Sequence, residues 1–238
     1  MNLKMSVKRS DGVKIYSVPY EPKMRILDAL LFIQEKLEPD LAFRWNCGEG
    51  VCGSCAGEVD GRPVLMCKKE ITKDMRDIRV EPMKVFPVIK DLVTDPGKVY
   101  EKLARLKPYF TGKKQSNFPT VYEKEAAKSQ EMRKCIDCFI CYDSCHVIRN
   151  HPQMGFTGPL NIVKAAAQDS HPLNTFSRTK LLEKEGVKFC NVSRCCTENC
   201  PQDIKITEHA IIPLKEKIIS DTGIIGLIKK IGKKNEQI

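Results

Sequence analysis

The chain has 238 residues, an apolar content of 42%, twelve cysteines and a formal net charge of +10. Its length corresponds to one large domain or two ordinary ones, and no stretch approaches 18 consecutive apolar residues, so we predict no membrane-spanning helix. The excess charge lies in residues 96–238, with 24 basic against 15 acidic residues, but no helix-turn-helix, zinc-finger or RNP-like pattern supports nucleic-acid binding.

Twelve cysteines are too many for an average cytosolic protein. Disulfide scaffolds are typical of short secreted chains, whereas this chain is long. Its start, MNLKMSVKRSDGVK, contains no apolar signal core. We therefore expect reduced thiols, and reduced cysteines at regular spacings usually bind metal.

The first elements in chain order are strands and one helix. The segments LKMSV and VKIYSV flank a DG turn and predict a hairpin. The segment MRILDALLFIQEKL has apolar residues at helical spacing and predicts a helix. The later segment DIRVE predicts a further strand, so we expect a small sheet crossed by one helix.

The first cysteine group follows this helix, with the spacing C-x4-C-x2-C and a fourth, more distant cysteine after the Asp60–Gly61 turn. This is the spacing of plant-type ferredoxins, in which four thiolates hold a [2Fe–2S] cluster. Glycines between the cysteines leave room for backbone N–H groups to approach the sulfides. Structural zinc is the alternative, but zinc sites favour two separated C-x2-C pairs. The predicted ligands are Cys47, Cys52, Cys55 and Cys67.

These signals predict an α+β protein whose residues 1–95 form a plant-type [2Fe–2S] ferredoxin (β-grasp) domain. The sequence DPGK, Asp95–Lys98, marks the predicted boundary. Beyond it, KVYEKLARLK is amphipathic, PTVYEKEAAKSQEMRK begins with a proline, and GPLNIVKAAAQ places Pro159 at a helix start. We therefore predict a mostly helical, bacterial-ferredoxin-like domain over residues 96–238.

Two further cysteine groups lie in this second half. The first, CIDCFICYDSC, contains Cys135, Cys138, Cys141 and Cys145, and the second, CNVSRCCTENCP, contains Cys190, Cys195, Cys196 and Cys200. In two-cluster bacterial ferredoxins, the last cysteine of such a run serves the other cluster. We therefore predict a [4Fe–4S] cluster on Cys135, Cys138, Cys141 and Cys200. The remaining centre is predicted on Cys145, Cys190 and Cys196.

The third centre lacks one cysteine. A C-x2-C-x2-C run would have its middle thiol at position 193, which is Ser193. The missing corner favours [3Fe–4S] over [4Fe–4S]. Adjacent cysteines point in different directions, so we expect Cys195 to be a small buried thiol. Two alternatives remain open: Cys195 replaces Cys196, or it adds a fourth ligand.

Nearly the whole chain resembles the iron–sulfur subunit of the succinate dehydrogenase/fumarate reductase family. The resemblance rests on CGEGVCGSCAGEVDG, VIKDLVTDPGKVYEKLARLKPYF, GFTGPLNIVKAAAQDS and CPQDIKITEHAI. It implies the same three ligand sets, and it implies electron transfer between the FAD of a partner flavoprotein and a quinone. The resemblance further implies that the flavoprotein carries the dicarboxylate site. This chain shows no dinucleotide or nucleophile motif of its own. We expect a cytoplasmic location, peripheral at the inner membrane face through anchor subunits.

Three departures from the family pattern are present, and the last two fall where quinone would bind. His146 stands where many members have proline, HVIRN lacks a tryptophan, and Asn191 stands where members often have histidine. The candidates for a quinone-proximal site are therefore His146, Arg149, Asn150 and Asn191. His146 could relay a proton to a quinone, whereas the alternative for these polar residues is helix capping.

The departures also raise other functions. The second hypothesis is an iron–sulfur subunit linking a flavoprotein to a non-quinone partner of the thiol/disulfide type. The third is a zinc-stabilised binding protein without a redox role. Separately, the C-terminal lysines could contact anionic lipid or an anchor subunit, or could form a disordered solubilising tail. These lysines are Lys229, Lys230, Lys233 and Lys234.

Overall fold

A computed structural model describes residues 2–110 and 120–222. The first half contains a five-stranded mixed sheet with the order β2-β1-β5-β3-β4. Strands β1 and β2 are antiparallel, β5 is parallel to β1, and β3 pairs antiparallel with both β5 and β4. The sheet strands are β1 (Asn2–Arg9), β2 (Gly12–Pro19), β3 (Ala56–Val59), β4 (Arg62–Leu65) and β5 (Asp77–Glu81).

The predicted hairpin and helix are confirmed. In β1, Leu3, Met5 and Val7 alternate inward, and their side chains are buried. Helix α1 (Ile26–Lys36) packs its apolar side chains in the same core. This burial of one sheet face by one helix supplies the main apolar stabilisation of the first half.

The β3–β4 hairpin positions the fourth cysteine of the first group. Asp60 and Gly61 both have positive φ angles, 50° and 77°, which suit the tight turn. Beyond β4, the Met66 N–H donates to the Cys55 carbonyl at 3.0 Å. The next residue, Cys67, therefore returns to the loop that carries the other three cysteines.

A buried ion pair fastens the end of the first half to its beginning. Two short strands, β6 (Val88–Lys90) and β7 (Val93–Thr94), pair with each other and enclose Asp91. The Arg9 Nε lies 3.1 Å from the Asp91 carboxylate, and both side chains are buried. The same carboxylate accepts the Ser10 and Ala42 N–H groups at 2.9 Å. Burial opposes the charged form, but these donors and Arg9 lower the pKa of Asp91.

The second half is helical, as predicted. Helix α6 is its central element, begins with Pro159 as predicted, and is almost wholly buried. Helix α3 begins at Glu123 within the segment PTVYEKEAAKSQEMRK, and the Glu125 carboxylate accepts the Tyr122 N–H and caps its first turn. The helices are α2 (Gly97–Arg105), α3 (Glu123–Arg133), α4 (Ile140–Asp143), α5 (His146–Asn150), α6 (Pro159–Asp169), α7 (Thr179–Lys184), α8 (Cys195–Glu198) and α9 (Ile212–Thr222).

The two halves have separate apolar cores that interlock. Met83 and Phe86, from the first half of the chain, pack in the core of the helical half. In return, Cys138 and Ile140 pack in the core of the sheet. The division at residue 95 therefore stays a prediction about sequence organisation. The C-terminal lysines lie outside the described residues.

Candidate iron–sulfur centres

The first thiol group consists of Cys47, Cys52, Cys55 and Cys67. Its thiols influence one another in two pairs: Cys52 contributes to the shift in the pKa of Cys47, and Cys67 contributes to that of Cys55. A [2Fe–2S] cluster takes two thiolates on each iron. The paired arrangement fits that cluster.

Backbone N–H groups point at this loop's sulfur atoms. The Glu49 N–H donates to the Cys47 sulfur at an N···S distance of 3.4 Å. Together with the Val51 N–H and the Cys52 thiol, it lowers the pKa of Cys47 to about 6. Burial raises the pKa of Cys55 to about 12. The loop therefore offers donors to a sulfur that carries negative charge.

One glycine of this loop brings it against the loop of the second thiol group. Gly53 has φ +73°, and a Cβ placed there would lie 2.5 Å from the Ile136 carbonyl and 3.0 Å from the Cys138 Cα. The Gln202 side-chain amide makes a second link by donating to the Gly50 carbonyl at 3.2 Å. The glycine spacing signalled a close approach, but the partner at Gly53 could not be read from the sequence, and Gln202 gave no signal.

The second thiol group consists of Cys135, Cys138, Cys141 and Cys200. All four line one cavity, whose other walls are mainly apolar side chains such as Leu160, Val163 and Ile204. The four thiols surround this space. Within residues 2–110 and 120–222, no three His, Cys, Asp or Glu side chains converge closely enough to hold a single metal ion. A [4Fe–4S] cluster takes one thiolate on each of four irons, so four thiols around one cavity fit this cluster.

Burial is the largest influence on these thiols. It raises the pKa of Cys135 to about 11 and that of Cys138 to about 12, and it raises the pKa of Cys141 as well. Loading of iron must therefore displace protons from thiols that hold them firmly. Lys164 lies 2.5 Å from Asp137 and is a cation close to Cys135.

The third thiol group, Cys145, Cys190 and Cys196, uses a loop with the same backbone conformation as the second. In the second group, Asp137 and Phe139 have φ angles of 54° and 62°, and α4 begins at the next residue. In the third, Val192 and Arg194 have φ angles of 58° and 65°, and α8 follows in the same way. Both segments then reach a cysteine just past the helix, Cys145 and Cys200 respectively.

This correspondence gives each third-group position an equivalent. Cys190 corresponds to Cys135, and Cys196 corresponds to Cys141. Ser193 corresponds to Cys138. The third group therefore has a hydroxyl at the position where the spacing indicated a missing cysteine. Cys195 corresponds to Ile140, a residue that is not a thiol and packs in the sheet core. Cys145 and Cys196 are buried, and the Cys196 sulfur lies 3.5 Å from the Thr207 hydroxyl.

Cys195 is half-buried, and its thiol and that of Cys145 shift each other's pKa. The Cys195 sulfur lies 3.5 Å from the Ser193 hydroxyl, and the Cys195 carbonyl accepts the Ser144 hydroxyl at 3.4 Å. The Cys145 contact lowers the pKa of Cys195 to about 5, and the same contact together with burial raises the pKa of Cys145. Cys195 therefore stands beside one predicted ligand.

The structure does not gather the four quinone-proximal candidates at one place. His146 and Asn150 hydrogen-bond each other at 2.9 Å on the exposed face of α5. Asn191 lies on the third-group loop and accepts the Ser193 N–H at 3.3 Å. The guanidinium of Arg149 points instead to Glu58 and Asp143.

Arg149 enters a buried ion network that the sequence did not predict. Its guanidinium pairs with Glu58 of β3 and lies 3.4 Å from the Asp143 carboxylate. Both carboxylates are fully buried, and Lys84 lies 2.9 Å from Glu58. Burial raises the pKa of Asp143 to about 6. The network joins the sheet to helices α4 and α5.

The fold and the thiol groups define a two-part iron–sulfur protein. A model of the 2Fe-2S iron-sulfur cluster binding domain matches residues 3–101, and a model of the 4Fe-4S dicluster domain matches residues 131–204. The fumarate reductase iron-sulfur subunit of Haemophilus influenzae is 31% identical, with 90% of this chain and 91% of that protein covered. The subunit of the same name from Escherichia coli O157:H7 is 34% identical over 79% of each chain.

A solved structure gives the same result. The Mycobacterium smegmatis Sdh1 complex in the apo form contains a chain with a TM-score of 0.87 and 40% identity, covering 93% of this chain and 97% of that one. This protein therefore belongs to the family of iron–sulfur subunits of succinate dehydrogenase and fumarate reductase. Among the described residues, no helix has the length and apolar character needed to cross a bilayer.

Proposed function

We propose that the three thiol groups hold three clusters, a [2Fe–2S], a [4Fe–4S] and a [3Fe–4S]. The arrangement of the thiols supports this proposal. The first group has two pairs of neighbouring thiols, and the second has four thiols that line one cavity. The third repeats the loop of the second, with serine in place of one thiol. The ligands are Cys47, Cys52, Cys55 and Cys67; Cys135, Cys138, Cys141 and Cys200; and Cys145, Cys190 and Cys196.

The chain acts as an electron conduit. When bound, such clusters accept and release single electrons at potentials set by hydrogen bonds, burial and nearby charge. The protein's own residues supply these influences: the Glu49 N–H at the first group, the apolar walls at the second, and the Thr207 hydroxyl at the third. The contact at Gly53 holds the first two cysteine loops together.

The proposed setting is a succinate dehydrogenase or fumarate reductase complex. Its partners are a flavoprotein that carries FAD and the dicarboxylate site, and one or more membrane anchor subunits that hold this chain at the inner face of the cell membrane. The electrons pass between the flavin and a quinone or the anchor. Support comes from the names of the H. influenzae and E. coli relatives and from their coverage of 90% and 79% of this chain.

A quinone contact in this chain would involve His146, Asn150 and Asn191 rather than Arg149. The first two are exposed on α5 beside Cys145, and Asn191 follows Cys190. The guanidinium of Arg149 is engaged by Glu58 and Asp143.

The thiol/disulfide alternative is not favoured. A fumarate reductase (CoM/CoB) protein of Methanothermobacter marburgensis is 28% identical over 91% of this chain, but the match covers only 46% of that protein. The H. influenzae and E. coli fumarate reductase relatives match over most of their own length. The second candidate therefore has no observation of its own in this chain.

Co-purification tests the proposal. The protein is purified anaerobically with its native partners, the bound flavoprotein is identified, and succinate oxidation and fumarate reduction are assayed with a quinone analogue. We expect a flavoprotein with dicarboxylate activity that reduces or oxidises the analogue. A flavoprotein without dicarboxylate activity would refute the proposed setting.

A further inference from the structure

Helix α6 brings one cation to the second thiol group. Leu160 and Val163 on this helix line the cavity of that group. Lys164, the single lysine of α6, lies four residues after Leu160 and therefore on the same side of the helix. Both sequence neighbours of Lys164 are buried, and its own side chain is 26% exposed. A positive charge is thus held at the edge of an otherwise mainly apolar site.

The Lys164 ammonium contacts the cysteine loop at Asp137. Its Nζ lies 2.5 Å from the Asp137 Oδ1, and the same oxygen lies 3.4 Å from the Cys135 sulfur. The ammonium is therefore within about 6 Å of that sulfur, a distance at which charges interact strongly. A carboxylate and an ammonium thus stand together beside one predicted ligand of the second centre.

These two charges act on a bound cluster in opposite directions. A cluster and its thiolates are negative, and reduction adds one electron. The Asp137 carboxylate alone would oppose that electron, whereas the Lys164 ammonium favours it. Neither side chain is fully solvated, since Asp137 is 37% exposed and Lys164 is 26% exposed. Water therefore screens the two charges less than it screens charges on an open surface.

We propose that Lys164 sets the reduction potential of the second centre: its ammonium offsets the Asp137 carboxylate beside Cys135 and so makes the [4Fe–4S] cluster easier to reduce. Nearby charge is one of the influences that fix the potential of such a cluster. The inference deepens the proposed function and rests on it, because it requires Cys135 to bind the cluster. A purely structural link between α6 and the loop would behave differently, because breaking it from either side would have the same effect.

The test uses the whole purified complex and variants that change charge but nearly keep shape. Lys164→Gln and Asp137→Asn each remove one charge, the double variant removes both, and Lys164→Arg keeps the positive charge. Asparagine also tolerates the left-handed conformation of position 137, where φ is 54°. For each variant, the midpoint potential of the [4Fe–4S] centre is measured by a redox titration followed by EPR, with the midpoint of the third centre as an internal reference.

The two single variants should move the [4Fe–4S] midpoint in opposite directions. It should fall in Lys164→Gln, rise in Asp137→Asn, and stay near the wild-type value in the double variant and in Lys164→Arg. Shifts of the same sign in the two single variants, no shift in either, or loss of the [4Fe–4S] signal in either would overturn the role of the charge. Cys135→Ala tests the ligand set separately and should lose the [4Fe–4S] signal. An intact signal there would refute the proposed ligands, and the inference would fail with them.

Discussion

The contact at Gly53 gives the sharpest structural prediction. In Gly53→Ala, the new Cβ would lie 2.5 Å from the Ile136 carbonyl oxygen, which is 0.9 Å inside the 3.4 Å lower limit of ordinary contact. It would also lie 3.0 Å and 3.1 Å from the Cys138 Cα and Cβ. The obstructing atoms are mostly backbone, so the two cysteine loops must move apart by most of that distance.

Gly48→Ala provides the matched control. Gly48 has φ +72° against +73° for Gly53, so both variants carry the same left-handed backbone cost of about 1–2 kcal/mol. Nothing lies within 4 Å of a Cβ at Gly48. The difference between the two variants therefore isolates the contact between the loops.

The assay is the EPR spin–spin interaction between the first and second centres in the fully reduced protein, which weakens steeply with distance. We expect a weaker interaction in Gly53→Ala than in Gly48→Ala, together with a larger fall in thermal stability. Equal spectra and equal Tm values in the two variants would show that the loops do not touch at Gly53.

Three stability predictions concern buried ions. Arg149→Met should lower the free energy of unfolding by about 3 kcal/mol, because it leaves buried carboxylates short of a cation; an unchanged Tm with altered quinone reduction would favour the quinone role instead. Asp91→Asn should cost about 1–3 kcal/mol, because Arg9 loses its buried partner but keeps Asp40 at 2.8 Å. Because the pKa of Asp91 is lowered, the contribution of its charge is complete above pH 4 and is lost only as pH falls further. The Tm loss should therefore match at pH 6 and 8, and a loss that differs between them would contradict this assignment. Arg178→Lys should cost about 3 kcal/mol or more. The buried Arg178 guanidinium pairs with Asp169 and donates to the Lys107 and Tyr109 carbonyls. A Tm within a degree of wild type would disprove that role.

Local patterns in the sequence predicted most of the elements. Alternation in LKMSV, helical spacing in MRILDALLFIQEKL and Pro159 at a helix start each encode the conformation of a short segment. The structure forms all three as expected.

The contacts between distant segments could not be predicted in this way. Arg149 is close in sequence to Cys145, which suggested the quinone region, but its partner Glu58 lies on a strand of the other half. The Ser144 hydroxyl donates to the Cys195 carbonyl at 3.4 Å and so joins two loops separated by α6 and α7. Cysteine spacing predicts which thiols share a loop, whereas these neighbours depend on how the halves pack.

The most direct test of the three-cluster assignment is iron and acid-labile sulfide analysis with EPR on the same anaerobically purified sample. We expect iron and sulfide that match one [2Fe–2S], one [4Fe–4S] and one [3Fe–4S] per chain. The oxidised sample should show the [3Fe–4S] signal, and reduction should reveal the other two. A colourless, iron-free protein, or an oxidised sample with full iron but no [3Fe–4S] signal, would contradict the assignment.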